Sequence, residues 1–442
     1  MHNNYHRRFD KTIDNINSDT LKRYARLNGA ESFTRRRKMP LDDIVLSALS
    51  RKGLTTAMEL RHYCEQKDCN PMSISKQGYL QQRKKLNPEV FAYLNREYLS
   101  DFYTSSEPVL WHGFYVFAID GSKAEIPNSE ENHKMFGKSG NHHAEGPARA
   151  LVSGMFDVFN DFFLDIQIGN LSDSEIDLAK QNIMAFKDFM PDHPVLIIFD
   201  RGYPSVAFID FLEGQNINYL FRLSSNDYIQ ERSQMACNDE QVELKHTYSR
   251  LNKMKGTQLD ITDKLKQKGS TKTRISISAL PSGNELALMT DLPSAYNAQE
   301  IADLYFKRWE IEKKYNTLKN KLKFESVTGK AAIYVYQDFW AQLFVYNMIQ
   351  DVRHAADTGL QKKVFAKNYK NPIHVNENMA IGLFKDGFIK IMLEKDVKQR
   401  EEKLIRLQES IESYVLPIRV TKSNARKHTI SNKYKNNQKN SF

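Results

Sequence analysis

Between residues 106 and 224 the hydrophobic pattern changes to short apolar runs, and this change limits the fold more than any other feature of the chain. Residues 114–119 form one run, ending at Asp120-Gly121-Ser122. Residues 150–159 and 162–168 form two more, joined by the turn-like Asn160-Asp161. Helical spacing follows over 174–190. Then comes a buried-strand run, 195–199, ending at Asp200-Arg201-Gly202-Tyr203-Pro204. A helix over 205–212 and a strand over 219–223 complete the series. Three strands, helix, strand, helix, strand is α/β organisation, with the first three strands close enough to form a meander.

The flanks differ. Residues 1–105 read as helical: Leu41, Ile44, Val45, Ala48 and Leu49 keep helical spacing, and Pro40 suits a helix start. Residues 73–86 give a cap-like start and a basic helix that ends near Pro88. A helix-turn-helix DNA binder and a bundle with a solvated basic face both fit this segment. Residues 225–295 are polar and include a hairpin over 274–280 and 285–292, so they read as a strand-rich insertion. Helices are expected from near Ala298, over 331–355 and over 401–414. The expected divisions are therefore 1–105, 106–224, 225–295, 296–355, 356–415 and a tail, 416–442. No internal repeat is found.

The net charge of +10 points to an anionic partner, and clustering sharpens this. Arg35, Arg36, Arg37 and Lys38 stand together. Beyond Tyr414 there is no acidic residue, yet Arg419, Lys422, Arg426, Lys427, Lys433, Lys435 and Lys439 follow. Such a tail is expected to be disordered alone and suited to a phosphate backbone. Three cysteines, Cys64, Cys69 and Cys237, do not make a disulfide framework and fit a reducing cytoplasm. His62, Cys64 and Cys69 lack a second pair at zinc-site spacing. The first residues contain no signal-peptide pattern. Residues 331–349 are apolar but interrupted by Gln337, Asp338, Gln342 and Asn347, as expected of a core helix and not a membrane span.

In residues 305–319, Tyr305, Arg308, Glu312 and Lys319 are spaced by three, four and seven. On a helix of about 3.6 residues per turn these share one face. A carboxylate there, with Asp120 and Asp200 at strand ends, makes three carboxylates from distant parts of the chain, a set suited to two-metal phosphoryl transfer. Each has a simpler role when taken alone. Asp120 and Asp200 suit turns after strands. Glu312 with Arg308 suits a surface ion pair of about 0.2–0.5 kcal/mol. Trp309, Ile311, Tyr315 and Leu318 suit the core. Asp157 is assigned to structure. The joint pattern favours chemistry.

The same residues resemble a known family. Tyr305, Arg308, Glu312 and Lys319 match, without departure, the Tyr-x2-Arg-x3-Glu-x6-Lys signature of insertion-sequence-four transposases, of the aspartate-aspartate-glutamate (DDE) class. Ile119-Asp120-Gly121-Ser122 and Phe199-Asp200-Arg201-Gly202-Tyr203 match its two aspartate contexts. The stretches 136–140 and 146–150 also recur in it. The resemblance spans roughly residues 110–350. It implies a ribonuclease-H-like core, formed by 106–224 and 296–355, with 225–295 as a β-rich insertion and 1–105 as a DNA-binding region. It implies Asp120, Asp200 and Glu312 as catalytic residues holding two magnesium ions, for which manganese can substitute. Tyr305, Arg308 and Lys319 would grip transposon-end DNA, with Arg201 and Tyr203 as further contacts.

The activity so implied is cutting of insertion-sequence ends and their joining to target DNA. The expected partners are double-stranded end and target DNA and, in the DNA complex, a second copy of the chain; no membrane partner is expected. The expected location is the bacterial cytoplasm, at the nucleoid when DNA-bound. Two alternatives stay open: a DNA-binding transposition regulator without catalysis, and a metal-dependent nuclease or resolvase without strand transfer.

Overall fold

Nine strands carry the apolar runs: β1 (Tyr115–Glu125), β2 (Lys138–Asn141), β3 (Ala144–Asp157), β4 (Phe163–Gly169), β5 (Val195–Phe199), β6 (Asn218–Arg222), β7 (Asp239–Lys245), β8 (Ser270–Ala279) and β9 (Glu285–Thr290). The computed structural model describes residues 4–27, 32–34, 38–69, 74–141, 144–187, 194–252, 259–280, 283–364 and 371–418. The Arg35–Arg37 cluster and the basic tail beyond residue 418 lie outside the described residues. The chain forms two compact units. One comprises residues 106–124 and 149–315; the other is built from 1–105, 125–148 and the residues from 316 onward.

The first unit is a mixed α/β body. Its sheet runs β4-β3-β1-β5-β6-β9-β8-β7. β1, β5 and β6 are parallel neighbours. β3 runs antiparallel to both β1 and β4, the former seen in the bonds from Val158 N to Val116 O and from Ile126 N to Ala148 O, whose numbers run in opposite directions. Every residue of β5 is buried, as expected where helices cover both faces of a parallel strand. Two helices make those crossovers. Glu175–Lys187 buries Leu178, Ile183 and Phe186, with the Phe186 ring 5.0 Å from that of Phe117. Val206–Gly214 is capped by the Ser205 side chain, which accepts from Phe208 N at 3.2 Å. The β3–β4 turn is fixed by Asp157, whose carboxylate accepts from Phe159 N and Asn160 N at 3.0 and 2.9 Å. Asp161 there takes a left-handed φ of 59°.

Residues 225–295 contain three strands and also three short helices, Ile229–Ser233, Tyr248–Asn252 and Leu259–Lys268. The strands continue the central sheet, because β9 pairs with β6 from Leu220↔Thr290 to Arg222↔Leu288. The hairpin expected here is β8–β9, in register from Arg274↔Thr290 to Ala279↔Glu285.

The second unit is mainly helical, with a short antiparallel pair, Ile373–Val375 and Val415–Pro417. The helices of residues 4–103 pack with the long helix Ala332–Val364 and with Glu377–Met392 and Val397–Glu412. Residues 1–105 thus share a unit with residues more than two hundred positions away. Among the described residues no helix is long and apolar enough to cross a membrane. The polar residues that interrupt the 332–364 run explain why. Asp351 accepts from Arg8 Nε and Nη2 at 2.7 Å and from the Tyr98 hydroxyl at 2.6 Å. Asp338 accepts from Arg83 Nη2 at 2.7 Å and lies 3.0 Å from Arg51 Nη1. Arg83 ends the helix Lys76–Arg83 and is fully buried, so this basic residue belongs to the core and not to a solvated face.

Burial pushes the Asp338 carboxyl up, but Arg51 and Arg83 outweigh it and hold the pKa below the usual range. A carboxylate so depressed stabilises the fold above about pH 4 and loses that contribution as pH falls through its folded value. Asp338→Asn would leave two buried guanidinium groups unpaired and should cost about 3–5 kcal/mol at pH 7. Urea melts of both chains between pH 3 and 7 check this: the difference should shrink toward the acid end.

Candidate active site

The parallel register of β1 and β5 sets the first two carboxylates. Tyr115↔Val195 through Ala118↔Ile198 are paired. The same offset, carried two residues further, sets Asp120 level with Asp200. Asp200 directly follows β5, as expected from the sequence. Asp120 does not end its strand: β1 continues to Glu125, and what ends before Asp120 is its pairing with β5. Both carboxylates therefore rise from the opened C-terminal edge of two parallel neighbours, where sheets of this kind expose their sites.

Glu312 comes from a helix that is not continuous, contrary to the spacing argument. Ala298–Phe306 opens with a capping box between Asn297 and Glu300. At Lys307 and Arg308 the ladder tightens: Lys307 N bonds Leu304 O, Arg308 N bonds Tyr305 O, and Ile311 N bonds Arg308 O, all three residues back. Trp309–Asn316 resumes as α-helix, and Thr317–Lys321 is a π-helical turn. Such interruptions of regular helix are common at functional sites. The tight turn stacks Arg308 over Tyr305, and its Nε donates to the Tyr305 hydroxyl at 3.3 Å.

Arg308 joins the three carboxylates. Its side chain is only 2% exposed. Nη2 lies 2.8 Å from Glu312 Oε1 and 4.0 Å from Asp200 Oδ2, and Nη1 lies 3.4 Å from Asp120 Oδ2. The Tyr305 hydroxyl donates to Asp200 Oδ1 at 3.0 Å. Tyr315 anchors the strand below by donating to the Asp120 carbonyl at 3.0 Å. Burial, only partly offset by Arg308 and reinforced by Glu312, pushes the Asp120 carboxyl up to about 6. Burial works against the Arg308 charge, but Tyr305, Asp200 and Asp120 outweigh it and raise its pKa further. Three carboxylates facing one guanidinium leave the site with excess negative charge.

That donor set suits a hard divalent cation, which prefers carboxylate oxygens and keeps much of its water. Among the described residues no three acidic, histidine or cysteine side chains enclose a metal position as they stand. The carboxylates instead converge on Arg308.

The other expected residues divide. Arg201 is exposed in the turn after Asp200. Tyr203 is 1% exposed, its ring packed against Phe199 at 5.2 Å, so it is a core residue and not a surface contact. Lys319 sits in the π-helical turn of the helical unit, 3.8 Å from Glu325. Ile311, Tyr315 and Leu318 are buried as expected, but Trp309 is 43% exposed and lies under Arg308, with the guanidinium carbon 5.1 Å from its ring centroid. Arg222, at the end of β6, went unnoticed in the sequence, yet its guanidinium carbon lies 6.0 Å from the Tyr305 ring centroid. Its only sequence signal is its place at the close of a strand.

Comparison with known proteins gives the family. Residues 111–348 match the family model described as "Transposase DDE domain". The chain is 24% identical over 337 residues to the transposase InsG for insertion sequence element IS4 of Escherichia coli (strain K12), an alignment covering 73% of this chain and 72% of that protein. A cryo-EM structure of the piggyBac transposase synaptic complex with hairpin DNA is similar with a TM-score of 0.44 and 8% identity, over 95% of this chain and 86% of that one. That likeness is too low for any feature of the piggyBac complex to carry over. The chain belongs to the DDE-domain transposases, in the insertion-sequence-four family.

Asp120 gives a sign-definite test. Its folded pKa is raised, so the folded chain holds the proton more tightly, and stability falls as pH rises from about 4 toward 6. In chelator at pH 7.5, Asp120→Asn should therefore be more stable than the unmutated chain by about 1–3 kcal/mol. Below about pH 4 the advantage should vanish. Thermal melts across this range measure it. A less stable variant at pH 7.5 would mean that the Arg308 ion pair outweighs burial.

Proposed function

We propose that this chain cuts the ends of its insertion sequence and joins the freed 3′-hydroxyls to target DNA by two-metal phosphoryl transfer. The observation that carries this reading is the convergence of Asp120, Asp200 and Glu312 on one buried guanidinium, at the open edge of β1 and β5. The core is ribonuclease-H-like in this reading. Supporting it are the strand order β4-β3-β1-β5-β6, with the antiparallel meander first and the parallel strands after it, and the crossover helices between. Residues 225–295 are then an insertion between the second aspartate and the glutamate.

Asp120, Asp200 and Glu312 would hold two divalent ions, magnesium or manganese. When bound, these ions activate the attacking oxygen and stabilise the leaving 3′-oxygen. The chain's own residues do the rest. Tyr305 orients the Asp200 carboxylate through its hydroxyl, and Arg308 fixes Glu312 and Asp120. Because Arg308 presents a planar fork, it suits a phosphate of the bound end once cations neutralise the carboxylates. Lys319 and the exposed Arg201 supply further backbone contacts, which position DNA without reading its sequence. Residues 1–105 help recognise the ends, and the basic tail adds charge attraction. Two ends must be held together, so the active complex is a dimer on double-stranded DNA. The setting is the cytoplasm.

The test is an end duplex with a plasmid target, in magnesium or chelator. The unmutated chain should cut and join only with magnesium. Glu312→Gln should lower both by more than about a hundredfold while still retarding the duplex in a gel. Cutting without joining would make the chain a nuclease. Binding without cutting by the unmutated chain would make it a regulator.

A further inference from the structure

One carboxylate near the site has no role so far. Glu175 is exposed and opens the helix Glu175–Lys187. A carboxylate at a helix N-terminus is ordinarily explained by the helix dipole. Two observations go beyond that. The first is Gly121, next to Asp120. A Cβ built there would lie 2.9 Å from Glu175 Cδ and 3.0 and 3.2 Å from its two oxygens. Gly121 does not have a left-handed φ, so the backbone does not demand glycine. What the missing side chain permits is the approach of Glu175 to β1. Gly121 N also donates to Asp120 Oδ1 at 3.0 Å, so this one residue adjoins both carboxylates.

The second observation is Tyr203. Its hydroxyl is buried and has no hydrogen-bond partner. The charged groups around it are Glu175, Asp120, Arg308 and Asp200. An orphaned buried hydroxyl normally marks a place for a water or an ion's water shell. Asp120 and Gly121 alternate across β1, so Glu175 approaches from the face opposite Asp120. That separation suits a hydrated cation better than direct shared ligation.

We propose that Glu175 is a fourth carboxylate of the active site, a positioning residue that grips the hydrated divalent cation of Asp120 through its water shell, with the Tyr203 hydroxyl bonded to the same water. This rests on the metal-dependent reading above. Magnesium keeps several of its waters, so such outer contacts set a large part of its affinity.

The experiment titrates the full chain, bound to an uncut end duplex, with manganese, reading free manganese by paramagnetic resonance. In parallel, end cutting is followed against magnesium concentration. Glu175→Gln and Tyr203→Phe should each weaken manganese binding and raise the half-maximal magnesium by about tenfold or more. Cutting should recover at high magnesium, which a merely structural defect would not show. Gly121→Ala keeps the carboxylate but displaces it, and should shift the same way; it serves if Glu175→Gln folds poorly. Unchanged manganese binding in Glu175→Gln and Gly121→Ala, with binding lost in Asp120→Asn, would overturn the fourth carboxylate and leave the metal site standing. Manganese binding unaffected even by Asp120→Asn would overturn both.

Discussion

The site depends on a shortage of positive charge. One guanidinium, buried to 2% exposure, faces Asp120, Asp200 and Glu312. It lets three like charges come together without driving the strand ends apart, yet it cannot neutralise them. Burial first, and then the neighbouring charges of Glu312 and Asp200, raise the Asp120 pKa despite Arg308. A site with this imbalance is held together by the guanidinium and still carries surplus negative charge. Arg308 can do this because the helix tightens beneath it: three-residue hydrogen bonds aim its side chain back over Tyr305 and toward β1 and β5.

The helical unit shows the opposite arrangement. There one carboxylate, Asp338, stands between Arg51 and Arg83, wholly buried, and its charged form is secure. No surplus of negative charge is left to recruit a ligand. The two clusters use the same residue types, and the ratio of carboxylate to guanidinium separates a packing device from a chemical site.

Much of this was legible from residue order. Apolar runs of five to seven residues marked β1, β4, β5 and β6, and the turn at Asn160-Asp161 is present. The spacing of Tyr305, Arg308 and Glu312 carried the site, because a three-then-four interval survives a local tightening of the helix. The longer interval to Lys319 crosses a π-helical turn, which no periodicity reveals. The extension of β1 past Asp120 was hidden because Gly121 and Ser122 look like a turn. Trp309 looked like core by its chemistry, but its face is used under Arg308. Glu175 could not be found at all: its approach to β1 depends on the missing side chain of Gly121, in a different element of the chain.

The helical unit is assembled from chain segments made at very different times. Arg51 and Arg83 leave the ribosome long before Asp338, and Arg8 long before Asp351. Until the long helix emerges, Arg51 and Arg83 lack Asp338, and Arg8 lacks Asp351, the nearer of its carboxylates. The sheet unit can complete itself in the interval, since its residues, 106–124 and 149–315, all precede the long helix. Chain order thus makes the sheet unit complete before the helical one. A chain halted before residue 338 would carry Asp120, Asp200 and Glu312 on a sheet unit whose helical companion had not yet formed.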